Sequence, residues 1–248
     1  YLYYGNIAAL DNQNSSDVWT NYSGIWHLGE DPSSSAPQFK DSSPSSNHAT
    51  AEGSVSLTTA QISNGLSFNG GGDAIDVGFD LSSIIGKTST LSFWVKTTQF
   101  GNNTNWRAPG ITGVEQAGGG NDIFFGFIDA LGRLSVNSGN SGISRSNFVI
   151  NDDAWRFVTM HRDEATGGVS FYVEGVQNGS GVSETGHKSN AFSKFGVIAD
   201  TGGTPEYFVG TLDEIRLFTG IMSDERIRAD FKFMKGTHTS FGAEESAP

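Results

Sequence analysis

From residue 65 onward the chain repeats one pattern: a short run rich in Phe, Val, Ile and Ser, then a turn carrying glycine. "GLSFNG" and "AIDVGF" flank a turn at 70–72, and "TSTLSFWVKTT" is the strongest strand signal in the chain. "DIFFGFID" and "GRLSVNSG" read as a hairpin around "ALG". "DDAWRFVTMHRD" and "GGVSFYVEGVQ" read as another, turning at "EATG", and "KFGVIA" adds a further run. Many short strands joined by glycine turns are the pattern of an all-β sandwich.

The two periods present in the chain sharpen this reading. In "TLSFWVK", Leu91, Phe93 and Val95 share one face while Ser92, Trp94 and Lys96 share the other, and in "DIFFGFI" both faces are apolar. One apolar inner face and one mixed outer face suit two stacked antiparallel sheets. The expectation is a jelly-roll-like all-β sandwich, with Trp94 and Trp155 in its core. One segment has helical character, "SDERIRADFKFM", where Ser223 is placed to cap and Arg226 stands where a capping-box Glu would normally be. No repeat of fixed period is present.

Composition bounds the partners. The 248 residues include 33 Gly, 18 Phe and 5 Trp, enough aromatic volume for a single large core. The net charge of −12 argues against nucleic acid, which needs clustered Lys and Arg. No apolar run approaches the ~20 residues that span a bilayer, so membrane insertion is not expected. With no Cys, disulfides and thiolate chemistry are excluded. The chain opens on "YLYYGN" and closes on "GAEESAP", and both ends read as cut from a longer chain. Residues 1–18 are expected to be an extension from a preceding domain, 19–240 one domain, and 241–248 a linker.

The last strand, "VGTLDEIRLF", poses a chemical problem. Simple alternation puts Ile215 and Leu217 on one face and Leu212 and Phe218 on the other, with Asp213 and Glu214 inside the run. A carboxylate in a buried strand is costly unless something pairs with it. An arginine, a metal ion or a substrate would serve, and Arg216 or Arg156 are the arginines at hand for Glu214.

Motifs for catalysis are sparse. Hydrolysis of a sugar bond needs two carboxylates facing one groove, but Asp213 and Glu214 are adjacent, Glu174 stands alone, and Asp76 and Asp80 are far apart in a turn. Gln61 has no following His to suggest a lyase cluster. The histidines at 27, 48, 161, 187 and 238 lack zinc spacing, and there is no Gly-x-Ser-x-Gly elbow.

A sugar site needs planar polar groups for hydroxyls and an aromatic face for the ring. "NWRAPGITGVEQAGGGNDIFFGFID" offers both. Glu115, Gln116, Asn121 and Asp122 supply donors and acceptors, Trp106 or Phe100 the stacking face, and the hairpin partner adds Asn137, Asn140 and Arg145. Glu115 and Asp122 together also suit a calcium ion gripping vicinal hydroxyls. The competing reading is a glycine-rich loop whose Asn and Asp side chains satisfy their own backbone. Glu206 and Tyr207, in "TPEYFVG", are further candidates to line a site.

Three segments in order carry a resemblance: "GIWHLGE…FKDSSPSSNHAT", "GLSFNGGGDAIDVGF…STLSFWVKT", and "WRFVTMHRDEATGGVSFYVEGVQNGSG…YFVGTLDEIRLFTGIMSDERI". Over about residues 20–235 the chain resembles the LamG-like, concanavalin A-like lectin/glucanase superfamily, whose bacterial members end in a strand of the form Gly-x-Leu/Ile-Asp-Glu-x-Arg. The opening "YLYYGN" is similar to the end of a bacterial extracellular domain that precedes such modules in secreted or surface-anchored proteins, adhesins among them. The resemblance implies a β-sandwich, often with bound calcium and a carbohydrate or protein ligand. It implies a Ca²⁺ site between the last strand and the serine-rich 31–54 loop, with Glu30, Asp41 and Asp213 as carboxylate ligands and carbonyls near Asn47. The function implied is noncatalytic carbohydrate binding by a monomeric module at a bacterial cell surface. A hydrolase or lyase of the same fold and a protein-binding spacer are the alternatives.

Overall fold

The computed structural model describes residues 18–140 and 142–236. The expected extension over 1–18, save residue 18, the expected linker over 241–248 and His238 lie outside the described residues.

In chain order the strands begin with β1 (Tyr22–Trp26), β2 (Thr50–Glu52), β3 (Ser56–Thr59), β4 (Asn64–Asn69), β5 (Ala74–Asp76) and β6 (Ser89–Lys96). They continue with β7 (Gly110–Glu115), β8 (Ile123–Ile128), β9 (Arg133–Ser138), β10 (Ser144–Val149), β11 (Arg156–Arg162) and β12 (Gly168–Val173). The last are β13 (Val176–Val182), β14 (Lys194–Phe195), β15 (Val197–Asp200), β16 (Glu206–Tyr207) and β17 (Val209–Thr219). One sheet runs β13-β12-β11-β6-β17-β4-β3, with β1 also on β17. The other runs β10-β9-β8-β7-β14-β5-β2, and β15 joins it beside β7 and carries β16. All pairs are antiparallel except β15 with β7. This is the β-sandwich the strand spacing predicts.

Between the sheets, Leu91, Phe93 and Val95 of β6 pack in one core with Ile123, Phe125 and Ile128 of β8 and Leu134 and Val136 of β9. Trp94 is fully buried, but on the opposite face of β6, where Phe157 and Phe231 meet its ring. Phe231 belongs to α2 (Asp224–Met234), the expected helix, capped by the Ser223 hydroxyl accepting from the Arg226 amide. The helix thus converts a solvent-facing sheet surface into a second apolar layer, worth about 1.5–3 kcal/mol for each ring fully buried. Trp155 is only half-buried and joins neither layer. A one-turn helix, α1 (Ser82–Ile85), stands where no helix was expected, seated by buried Leu81 and Ile85.

Of the register shifts in the two sheets, those in β17 and β8 decide which side chains face the core. Between Asp213 and Arg216 the register of β17 on β6 shifts by one residue, and Glu214 has a φ of 55°. The extra residue restores the inward face after the two acids, so Leu212, Ile215 and Leu217 all enter the inter-sheet core. Leu212 is therefore not on the face opposite Ile215. At Gly126, φ 88°, a shift in β8 on β9 does the same: Phe125 and Ile128 point inward while Phe124 and Phe127 both lie outside. That second bulge lays an apolar floor on the outer surface of its sheet.

Candidate functional site

Of the two acids of β17, Glu214 finds counter-charges inside the protein and Asp213 a backbone donor. Glu214, almost fully buried, accepts from Arg216 Nη2 at 2.6 Å and lies 2.7 Å from His27 Nδ1. Burial pushes its carboxyl up, but the His27 hydrogen bond and the Arg216 charge more than offset this and hold it below the ordinary range. His27 is raised in turn, chiefly by its hydrogen bond to Glu214. Asp213 is 0 % exposed and is pushed up to about 7, mainly by burial. Its Oδ2 accepts from the Ile62 amide at 2.8 Å, and its Oδ1 has no hydrogen-bond partner among the described residues. Asp213 is thus accommodated by holding a proton into the neutral range.

The calcium ligand set does not assemble. Asp41 accepts four hydrogen bonds, from the Ile25, Ser43 and Asn47 amides and the Ser43 hydroxyl, and so organises the serine-rich loop itself. The Asn47 carbonyl accepts from the Trp26 indole at 2.9 Å, and Glu30 accepts from the Lys40 amide at 3.0 Å. Among the described residues no group of three or more His, Cys, Asp or Glu is arranged to hold a metal ion. Glu30, Asp41, Asn47 and Asp213 therefore do not fit one divalent ion, because Asp41 serves backbone donors and Asp213 faces the Ile62 amide instead. The Glu115–Asp122 pair does not form such a group either.

The second set of candidates does converge. A cavity of about 350 Å³ lies on the outer face of the second sheet, lined among others by Trp106, Glu115, Asp122, Asn137 and Asn140. Its floor is Phe124, beside Asn137 across the β8–β9 ladder, and Ile143. Trp106 sits in a 3₁₀ turn, Asn105–Arg107, and is 52 % exposed. The neighbouring Asn105 is buried and donates to Asn137 Oδ1 at 3.0 Å, fixing both amides. Gln116 and Asn121 stand in the same loop without lining the cavity; the Gln116 amide donates to Asp122 Oδ1 at 3.0 Å. Phe100 is exposed elsewhere, and Arg145 pairs with buried Asp129.

The loop at 116–122 is strapped down from behind. Lys188, buried, places Nζ 3.1 Å from the Gly120 carbonyl and 3.3 Å from Glu184. Glu184 in turn accepts from the Asn140 amide at 2.7 Å. Arg162, 0 % exposed, donates to the carbonyls of Gly86, Glu184 and Gly186 and to Ser183 Oγ, which pins the segment bearing Lys188. Asn190 donates to Asp122 Oδ1 at 2.7 Å.

This architecture has known counterparts. A family model described as the concanavalin A-like lectin/glucanases superfamily matches residues 69–228. The chain belongs to that superfamily. No curated protein matches it significantly in sequence. Domain 4 of an extracellular arabinanase from Geobacillus stearothermophilus, solved with arabinotriose, is similar at a TM-score of 0.58 and 17 % identity, over 85 % of this chain and 98 % of that one. The receptor-binding domain of botulinum neurotoxin C/D mosaic serotype is similar at 0.59 and 16 %, over 86 % of this chain and 51 % of that one. A Trypanosoma rangeli sialidase mutant matches at 0.57 and 16 %, over 87 % and 34 %. The chain spans about half the length of the toxin domains it matches. At these identities the likeness is one of fold.

On this lectin/glucanase sandwich, sequence reading missed Asn105, Phe124, Ile143 and Asp200. Asp200 is the Cα partner of Glu115 across β15 and β7. Glu115 is raised, first by burial and then by the hydrogen bond and charge of Asp200. Asp200 is held low, because the Gly202 and Gly203 amides and Glu115 outweigh the upward push of burial. Asp122 is raised mainly by burial, against the hydrogen bonds from Asn190 and Gln116. Asp200 lies far from the loop in sequence, so no local signal could have flagged it. Glu206 is raised by burial and by Asp200, while Tyr207 lines a separate cleft with Pro205 and Lys194.

Proposed function

We propose that the chain is a noncatalytic carbohydrate-binding module of a secreted or surface-attached bacterial protein, and that the Trp106 cavity is its site. The observation that carries this is the half-exposed Trp106 indole on a cavity whose floor is aromatic and whose walls are amide and carboxylate. An indole face covers the C–H patch of a pyranose, and Asn105, Asn137, Asn140 and Asp122 address the hydroxyls. The similar arabinanase domain, solved with arabinotriose, supports this reading. One shallow site would bind weakly, and tandem copies in the parent protein would supply avidity. The module would act as a monomer on glycan, with no nucleic-acid partner and no membrane insertion. No helix among the described residues is long and apolar enough to cross a membrane.

The arrangement of acids favours binding over hydrolysis. A hydrolytic pair must stand roughly 5–9 Å apart on either side of a sugar bond. Glu115 and Asp200 instead interact side by side.

The test is titration calorimetry of the intact chain against a panel of neutral, amino and acidic oligosaccharides, repeated with Trp106→Ala. Binding to at least one glycan, lost in the variant while the melting temperature holds, is the expected result. A blank panel, or binding indifferent to Trp106, overturns the proposal.

A further inference from the structure

Asp122 is 3 % exposed, yet only one of its oxygens is spoken for. Oδ1 accepts from the Gln116 amide and the Asn190 amide group. Oδ2 accepts no hydrogen bond among the described residues and faces the cavity beside Gly119, where an added Cβ would stand 3.9 Å from it. Gly119 has a φ of 66°, so the turn that opens this approach is built on glycine.

The cations nearby are committed elsewhere. Among the described residues no Lys, Arg or His lines the cavity. Lys188, on the strap, engages Glu184 and the Gly120 carbonyl. Arg107, next to Trp106, lies near enough to Glu206 to act on its charge and does not line the cavity. Arg133 and Arg145 pair with Asp129. Glu115 and Asp122 thus share the cavity wall, with Asp200 behind Glu115, and no side chain in the wall offsets them. A half-enclosed carboxylate without a counter-charge is held at a cost that an incoming positive charge relieves. The exposed indole adds a second attraction, since a cation over Trp is favoured by the ring's quadrupole.

We propose that this cavity takes a sugar carrying a protonated amine, whose ammonium sits against Asp122 Oδ2 and Glu115, in preference to neutral and acidic sugars. This rests on the carbohydrate reading above and names its ligand class. Acidic glycans are repelled by the same wall, and neutral ones keep only the stacking and hydroxyl contacts.

Titration calorimetry of the intact chain compares chitosan, chitin and galacturonan oligomers of equal length at about pH 6, where an amine is largely charged. The chitosan oligomer should bind at least about 10-fold more tightly than the chitin oligomer, with the galacturonan oligomer silent. High salt should shrink that gap. Asp122→Asn and Glu115→Gln should each narrow it to about twofold, with unchanged melting temperature showing that the fold survives. Equal binding of chitin or galacturonan, or a gap that persists in both variants, overturns the inference. If neutral glycans bind through Trp106 without gain from the amine, only the ligand class falls. If all three oligomers and the wider panel are silent, the carbohydrate reading falls with it. Calcium chloride alone should give a flat titration; a calcium isotherm abolished by Asp122→Asn would assign these carboxylates to a metal and overturn the ammonium.

Discussion

Two pairs of acids, Asp213 and Glu214 within one sheet and the buried Asp122 and half-buried Glu115 at the edge of the other, are treated differently. On β17, Glu214 is clasped by Arg216 and His27, and Asp213, pushed up to about 7 by burial, accepts from the Ile62 amide. At the cavity, Glu115 and Asp122 meet each other's field and that of Asp200, and no cation among the described residues lines the wall. The counter-charges of Glu214 are internal and tie β17 to the segment after β1. Among the described residues, Asp122 keeps one oxygen without donor or cation on a cavity wall, and that leaves an attraction open to a ligand. Removing partners should therefore cost stability in the first group and binding in the second.

The largest effect is expected at Arg216→Leu. It strips Glu214 of its guanidinium inside the sheet, and breaking one partner of a buried pair costs about 3–5 kcal/mol. Urea unfolding measures this, and a loss under 1 kcal/mol would mean that the pair is not structural. Asp213→Asn probes the proton. Because the folded value of about 7 exceeds the ordinary carboxylate value of 3.8, the folded state binds a proton that the unfolded state releases. That stabilisation is complete below about pH 4 and fades as pH rises through 7, worth up to roughly 4 kcal/mol. His27, raised by Glu214, fades in the same direction. The Asn variant should flatten the decline and exceed the parent protein in stability at about pH 8; an unchanged pH profile from urea melts would refute the assignment.

Smaller effects should come from the cavity side. Lys188→Met cuts the strap to Gly120 and Glu184, with an expected cost of about 1–2 kcal/mol. Faster hydrogen exchange should follow across 116–122 and at Asn140, whereas protection equal to the parent's would show that the loop stands unaided. Trp106→Ala should shift stability by less than about 0.5 kcal/mol, as an exposed residue does. It should nevertheless weaken glycan binding about 10-fold, equivalent to roughly 1.4 kcal/mol. If the larger penalty were in unfolding, Trp106 would belong with the structural group.

Much of the site was legible because its residues cluster in two adjacent stretches. Trp106, Glu115 and Asp122 lie in one glycine- and asparagine-rich segment, and Asn137 and Asn140 on the hairpin that follows it. Short-range spacing suffices to bring such residues near one another. The Phe124 floor was hidden because alternation read straight through "DIFFGFID" gives no sign of the register shift at Gly126. The calcium set was misjudged for a related reason: Asp41 sits among donors of its own loop, and their satisfaction of all its lone pairs depends on how residues 41–47 fold back on β1.

By itself, the sequence determined the two-layer core, its longer strands and the C-terminal helix, since period-2 alternation and a capping serine act over a few residues, whereas β7 reads as part of a loop and β2, β3 and β10 carry no strand signal. Only the tertiary structure decided where the charges are balanced. It set Glu214 on a bulge within reach of His27, brought Asp200 from a distant strand against Glu115, and committed Lys188 to the back of the loop rather than the cavity. Hydrophobic periodicity is a local property of a segment, whereas compensation of a buried charge depends on which strands and loops become neighbours, and that is fixed only when the sheets close on one another.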